Sequence, residues 1–225
     1  MASVFINGGT GYVGRRLAAT LLERGHRVRV LTRAESVSRV PAGVEAVVGN
    51  ALDAASYVGA LSAGETLVHL VGTPHPSPAK AAEFRRVDLP SIQAAVAAAA
   101  SARIEHLIYV SVAHPAPIMH AYIDVRTAGE AAIVQAGLTA TIVRPWYVLG
   151  PGHWWPAILI PAYALLELVP PTRAGARRLG LVTIGKMVRT LIDAVEHPPE
   201  HGRVRIVDVP QIRKGLSSSR PRVVG

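Results

Sequence analysis

Near its start the chain runs Ser3-Val4-Phe5-Ile6-Asn7-Gly8-Gly9-Thr10-Gly11-Tyr12-Val13-Gly14. The apolar run over residues 3–7 stops at glycines and predicts a strand. From Tyr12 to Arg24 apolar residues recur at helical spacing (Val13, Leu17, Leu21), which predicts a helix. Gly25 stands where such a helix ends in the left-handed conformation, and Val28 to Leu31 gives a second strand. A βαβ unit is therefore complete by Thr32. Between strand and helix the glycines recur at three-residue intervals, and each has a physical use. Gly8 permits the tight turn, Gly11 lets the backbone approach a pyrophosphate, and Gly14 lets helix pack closely on strand. The helix amino terminus then offers unpaired N–H groups and a favourable dipole to the phosphates. Gly8, Gly9, Thr10, Gly11, Tyr12, Val13 and Gly14 are accordingly expected to hold a dinucleotide.

The alternation continues outward. Strands are expected over 44–48, 66–71, 107–112, 140–143 and 204–209. Helices are expected from the Asp53 cap to Leu61, from Ala81 to Ala102, from Ala121 to Ala136 and from Ile184 to Glu196, the last capped by Thr183. Continuous apolar strands such as 66–71 imply burial on both faces. The fold expected is α/β, a doubly wound parallel sheet of about seven strands (Rossmann fold) with a small C-terminal helical appendage. One domain over 1–225 is expected, with 151–200 as the appendage and 214–225 as a serine- and arginine-rich tail that frays.

Composition narrows the classes. Hydrophobic residues make up 50% and charged residues 17%, enough apolar surface for one sizeable core. There is no cysteine, which excludes disulfides and thiolate metal sites and fits a reducing compartment. Met1-Ala2-Ser3 leads directly into the first strand without a basic leader, so a cytoplasmic location is expected. The nine histidines are scattered at no metal-ligand spacing, so no metal is expected. A formal charge of +9 favours anionic partners. The basic residues come in pairs (Arg15-Arg16, Arg85-Arg86, Arg177-Arg178) without interleaved aromatics, which argues against nucleic acid and for a small-molecule partner.

The end of the second strand bears on the choice of dinucleotide. A site for NAD places a carboxylate there to bond the ribose 2′-hydroxyl, whereas this chain has Thr32-Arg33. Arg33 can instead pair with a 2′-phosphate, helped by Arg15, Ser36 and Arg39, so NADP is favoured over NAD.

Taken in order, Gly8-x-x-Gly11-x-x-Gly14, Gly49-Asn50-Ala51-Leu52-Asp53, Tyr109-Val110-Ser111, Tyr122-x-x-x-Arg126 and Arg144-Pro145 resemble the extended and atypical short-chain dehydrogenases/reductases. The resemblance covers residues 3–150 and is closest to the epimerase/dehydratase-like and NmrA-like branches. It implies that Asn50 hydrogen-bonds the adenine, Asn50 being equally readable as a turn residue before Asp53, and that Ala51 belongs with it to the cofactor site. It also implies that Val71, Gly72 and Thr73 line the ribose side. In the resembling enzymes a serine orients the substrate oxygen, a tyrosine moves its proton, and a lysine four residues on lowers the tyrosine pKa and holds the nicotinamide ribose. The matching residues are Ser111, Tyr122 and, in place of the lysine, Arg126. An arginine four residues along a helix keeps the same face and charge but cannot release a proton. His114 and His120 stand on either side of this position as alternative acids or bases.

Two functions from different classes stay open: an NADP-dependent oxidoreductase acting on a small or hydrophobic carbonyl or hydroxyl substrate, and a redox sensor or assembly factor that binds NADP(H) without turnover. Sugar-nucleotide epimerase or dehydratase chemistry is a lesser alternative. Beyond Pro145 the chain becomes rich in proline and carries Trp146, Trp154 and Trp155. The apolar stretch from His153 to Leu168 is broken by prolines and too short to span a bilayer. A wall over the substrate cleft is the favoured reading, ahead of a homodimer surface or a peripheral membrane contact through 153–178.

Overall fold

A computed structural model describes residues 1–152, 170–215 and 222–224. Among the described residues ten strands run in chain order: β1 (Ser3–Asn7), β2 (Arg27–Thr32), β3 (Glu45–Val48), β4 (Thr66–His69), β5 (His106–Val110), β6 (Ala140–Arg144), β7 (Tyr147–Leu149), β8 (Leu181–Thr183), β9 (Val204–Asp208) and β10 (Arg222–Val224). The main helices are α1 (Gly14–Glu23), α2 (Leu89–Ala102), α3 (His120–Gln135), α4 (Pro170–Arg178), α5 (Ile184–Glu196) and α6 (Val209–Lys214). Eight strands form one sheet in the order β10-β9-β6-β5-β4-β1-β2-β3. Seven of them are parallel, and each contains or overlaps a run expected from the sequence. β10, in the stretch expected to fray, pairs antiparallel with β9.

The alternation of side chains along β1 explains the two layers. Val4 and Ile6 pack with Leu17, Ala18 and Leu21 of α1 and Met187, Leu191 and Val195 of α5. Phe5, between them, points to the opposite face, among Ile92, Ala95 and Ala99 of α2 and Ile133 of α3. α5, expected within the appendage, thus lies on the sheet beside α1. The strand order reverses at β1, whose neighbours are β2 and β4, so a crevice opens at the carboxyl ends of these strands.

Three local expectations are corrected. The helix expected from Asp53 to Leu61 is two 3₁₀ turns, Ala54–Ser56 and Val58–Ala60. Asp53 does cap the first, accepting from the Ala55 N–H at 3.0 Å. Ser56 Oγ, however, donates to the Asp53 carbonyl at 2.7 Å and so competes with helix continuation. The single helix expected over 81–102 is a short turn (Ala81–Glu83), a π-helical turn (Phe84–Asp88) and then α2. Pro90 accounts for the break, because its ring has no N–H and crowds the preceding turn, which widens to admit it. After Pro145, β7 and β8 pair as a separate two-stranded parallel ribbon that periodicity did not announce. Residues 153–169, with Trp154, Trp155 and most of the segment considered for membrane contact, lie outside the described residues. Among those described, no helix is long and apolar enough to cross a membrane.

Candidate functional site

The glycine loop closes as its spacing demands. Gly8 adopts φ +85°, where an L side chain is strained, and a Cβ on it would lie 3.0 Å from the Leu70 carbonyl carbon. A Cβ on Gly14 would collide with the Gly8 oxygen and lie 2.6 Å from the Gly9 Cα, so the helix can seat this close only without a side chain. Gly11 donates its N–H to the Gly8 oxygen at 3.1 Å and turns the chain into α1. The first turn of α1 has neither a side-chain cap nor an acidic residue, which leaves its positive end open to an anion.

Two continuous hollows meet over this loop, sharing Gly8, Gly11, Leu70 and Gly72. One, of about 470 Å³, runs toward Thr32, Arg33, Ser36, Arg39, Asn50 and Ala51. The other, of about 670 Å³, runs past Tyr12 and Thr73 to Val110, Trp146, Tyr147 and Val148. The structure thus gathers along one cleft the loop residues Gly8, Thr10, Gly11, Tyr12, Val13 and Gly14 together with Arg33, Asn50, Ala51, Val71, Gly72 and Thr73. Gly9 sits behind them, where a Cβ would lie 2.5 Å from a Val30 methyl. Arg33 is exposed and its Nε lies 3.2 Å from Glu35. Asn50 Oδ1 accepts from the Leu52 N–H at 3.0 Å, the turn role, which leaves its amide N–H groups as donors.

Ser111, Tyr122 and Arg126 lie behind this wall, and none of the three is among the described residues that line it. Arg126 is 4% exposed. Its Nη2 donates to Asp88 at 2.6 Å, and its Nη1 donates to the carbonyls of Val110 at 3.0 Å and Val71 at 3.4 Å. Burial opposes the charge, yet Tyr122, Tyr109 and Asp88 around it hold the guanidinium protonated, above the usual arginine value. Asp88 also accepts from the Thr73 N–H at 3.0 Å and from its hydroxyl at 2.6 Å. One buried ion pair therefore fixes the ends of β4 and β5 and presses against Gly72, where any Cβ would strike Arg126. The ring of Tyr122 packs 4.8 Å from Phe84 and 5.0 Å from the Arg126 guanidinium. Ser111 Oγ donates to Glu130 at 2.6 Å, and Glu130 in turn receives a bidentate pair of bonds from Arg144 at 3.0 and 2.5 Å. His114 Nε2 lies 3.6 Å from Glu130, while His120 opens α3 at the surface.

Residues 8–150 match the protein family described as NAD(P)H-binding. The chain belongs to the NAD(P)H-binding family. A 4-hydroxy-2-methyl-3-oxo-4-farnesyl-3,4-dihydroquinoline-1-oxide ketoreductase of Stigmatella aurantiaca is 29% identical over 168 residues, 65% of this chain and 50% of its own length. A ceramide reductase of Caulobacter vibrioides is 35% identical over 153 residues, 66% of this chain and 47% of that enzyme. The chain spans about half the length of these relatives. Among solved structures, UDP-N-acetylglucosamine 4-epimerase from Bacillus cereus superposes with a TM-score of 0.67 at 17% identity, covering 92% of this chain and 79% of that one. That likeness shows the fold, shared also with a short-chain dehydrogenase/reductase superfamily protein of Agrobacterium tumefaciens at 17% identity and a TM-score of 0.66, over 92% of this chain and 77% of that one.

The NAD(P)H-binding assignment agrees with the loop's own geometry, in which side-chain-free backbone and an uncapped helix end face the cleft. Reading the sequence did not single out Asp88, Glu130, Tyr147 or Val148. Glu130 follows Arg126 by four residues on a helix face that also buries Val125 and Ile133, and two charges on an apolar face are the signal that marks a buried network. Tyr147 and Val148 form β7, and Gly150 just beyond it rests against the Tyr12 hydroxyl, which packs the aromatic wall onto the nucleotide loop. Among the described residues no group of three or more His, Asp or Glu is placed to hold a metal.

Proposed function

We propose that the chain binds NADP(H) in preference to NAD(H) and is an oxidoreductase of the short-chain type, exchanging hydride between the nicotinamide and a carbonyl or hydroxyl compound. The observation that carries this reading is the pair of adjoining hollows that share Gly8, Gly11, Leu70 and Gly72, one reaching Arg33 and Arg39 and the other Trp146 and Tyr147. The ketoreductase and reductase activities of the two relatives support the reaction class. When bound, the nicotinamide supplies or accepts the hydride. The chain's own residues do the rest. Loop N–H groups and the α1 terminus hold the pyrophosphate, Arg33 with Ser36 and Arg39 holds a 2′-phosphate, and the Asn50 amide donates to the adenine. By the resemblance to the short-chain enzymes, Tyr122, its ring packed on the Arg126 guanidinium, is the residue that moves the proton at the substrate oxygen. Ser111, whose hydroxyl donates its hydrogen bond to Glu130, keeps its oxygen lone pairs to accept from that oxygen's hydroxyl form. Arg126 acts on the ribose side through Gly72, whose backbone it supports. Trp146, Tyr147 and Val148, just after Pro145, wall the substrate side.

A second reading, a sensor or assembly factor that binds NADP(H) without turnover, is favoured by one observation: Ser111 and Arg126 are engaged by Glu130 and Asp88 behind the cleft wall. NADPH absorbance over a panel of ketones and aldehydes separates the two. The oxidoreductase reading predicts consumption that Tyr122→Phe lowers at least a hundredfold with NADPH affinity unchanged. Consumption that survives the substitution would remove Tyr122 from the chemistry. NADPH binding with no consumption across the panel would favour the sensor.

A further inference from the structure

The two ends of the cleft differ in charge, and we infer that the substrate end accepts an uncharged, flat, apolar ketone and rejects anionic compounds, nucleotide sugars included. The inference rests on the oxidoreductase reading and names the substrate class for that site. In a chain with 24 basic residues, the half of the cleft beyond the glycine loop is lined, among the described residues, by no Asp, Glu, Lys or Arg. The adenine half carries Arg33 and Arg39. A phosphate or carboxylate passing beyond the glycine loop into the substrate half would lose its hydration where the described lining holds no Lys or Arg and His75 is its one basic side chain, a cost that proteins meet elsewhere with arginine or lysine. A sugar nucleotide would bring two such phosphates. The epimerase that shares this fold is 17% identical, so its backbone course carries no claim on these side chains.

The walls also specify a shape. Trp146 and Tyr147 meet at 5.7 Å with ring planes 72° apart, and Pro74 and Pro76 line the same hollow. A planar ring system can stack on one face of such a corner while meeting the edge of the other ring. Val110 and Val148 extend the apolar surface. The hydroxyl of Thr73 already donates to Asp88, so it offers no proton to a substrate oxygen. Beside Thr73, the polar side chains among the described lining residues are Tyr12, His75, Ser77 and Tyr147, set amid apolar bulk that a ligand can fill while one or two polar contacts orient it.

Titration calorimetry on the full chain saturated with NADP⁺ tests this with a matched pair, 9-fluorenone and 9-oxofluorene-4-carboxylate, and with UDP-glucose. Fluorenone is expected to bind, the carboxylate at least tenfold more weakly, and UDP-glucose without detectable heat. Tyr147→Arg should reverse the preference within the pair. Pro76→Arg, on an exposed loop whose substitution spares the core, should weaken fluorenone at least fivefold while NADP⁺ still binds. Equal or tighter binding of the carboxylate, measurable binding of UDP-glucose, or fluorenone affinity untouched in both variants would overturn the inference. Fluorenone that binds without being reduced leaves this inference standing and counts against the oxidoreductase reading. NADPH consumed with charged carbonyl compounds alone does the opposite.

Discussion

Arg33 stands at the end of β2 with its side chain 71% exposed, close to Glu35, Ser36 and Arg39. An exposed single pair such as Arg33 with Glu35 is weak, and a doubly charged phosphate competes for the guanidinium with more charge and better geometry. Arg33→Asp is therefore expected to raise the Kd for NADP⁺ by at least thirtyfold and to change that for NAD⁺ by less than threefold, as read by calorimetry. Equal losses for both dinucleotides would place Arg33 outside the 2′-phosphate contact. This residue was legible in the sequence because its place follows from the length of a βαβ unit and the absence of a carboxylate. So were the glycines, whose roles depend on backbone alone. Ser111 and Arg126 were legible as residues but not as contacts. Their partners Glu130 and Asp88 lie 19 and 38 positions away, and no local spacing encodes a pairing made across elements.

Among the elements, the junction of the π turn, α2 and α3 has the most to do with the cleft floor. The Asp88–Arg126 pair crosses it, with side chains 1% and 5% exposed. Removing one member of a buried pair strands the other charge in a dry site, at a cost of about 3–5 kcal/mol. Arg126→Met should lower stability in urea by that amount, and adding Asp88→Asn should restore more than half of it, because the stranded charge is then gone. Additive losses in the double variant would mean that the two side chains do not act as a pair. The same region shows why some elements were misread. Pro90 was visible in the sequence, yet the alanine run around it suggested one uninterrupted helix, and the π turn that accommodates the proline is a backbone adjustment without a residue signature. β7 and β8 span three residues each, too short for alternation to register.

At the scale of the whole molecule, the regular alternation of strand and helix made the doubly wound sheet readable from residue 3 to residue 209, since its strands centre on short apolar stretches and the crossovers have one favoured hand. Polar groups sealed into that sheet were not readable, and they set its response to acid. His69 and His106 are buried on β4 and β5, each bonded through Nε2 to a hydroxyl, of Ser91 and Thr141. Burial, assisted by the nearby Arg126 and Arg205 charges, pushes both imidazoles down to about 3. In the unfolded chain they take up protons near the ordinary value of about 6.5, so above that pH they contribute no pH dependence. Below it the unfolded state binds more protons than the folded one, and stability falls until the pH nears 3. At pH 5 the loss is about 2 kcal/mol per histidine. The urea midpoint should therefore be flat from pH 7 to 8 and fall below 6.5, and His69→Gln with His106→Gln should flatten that fall. Identical slopes in both proteins would show that the fall has another source. The account as a whole rests on the opening glycine turn as a seat for a dinucleotide diphosphate. Isothermal titration of the full chain with NADP⁺ and NADPH tests it most directly: saturable one-to-one binding, lost in Gly14→Ala where a Cβ would strike the Gly8 oxygen, is the predicted result. No heat with either form of NADP or of NAD, from a chain shown to be folded, would contradict it.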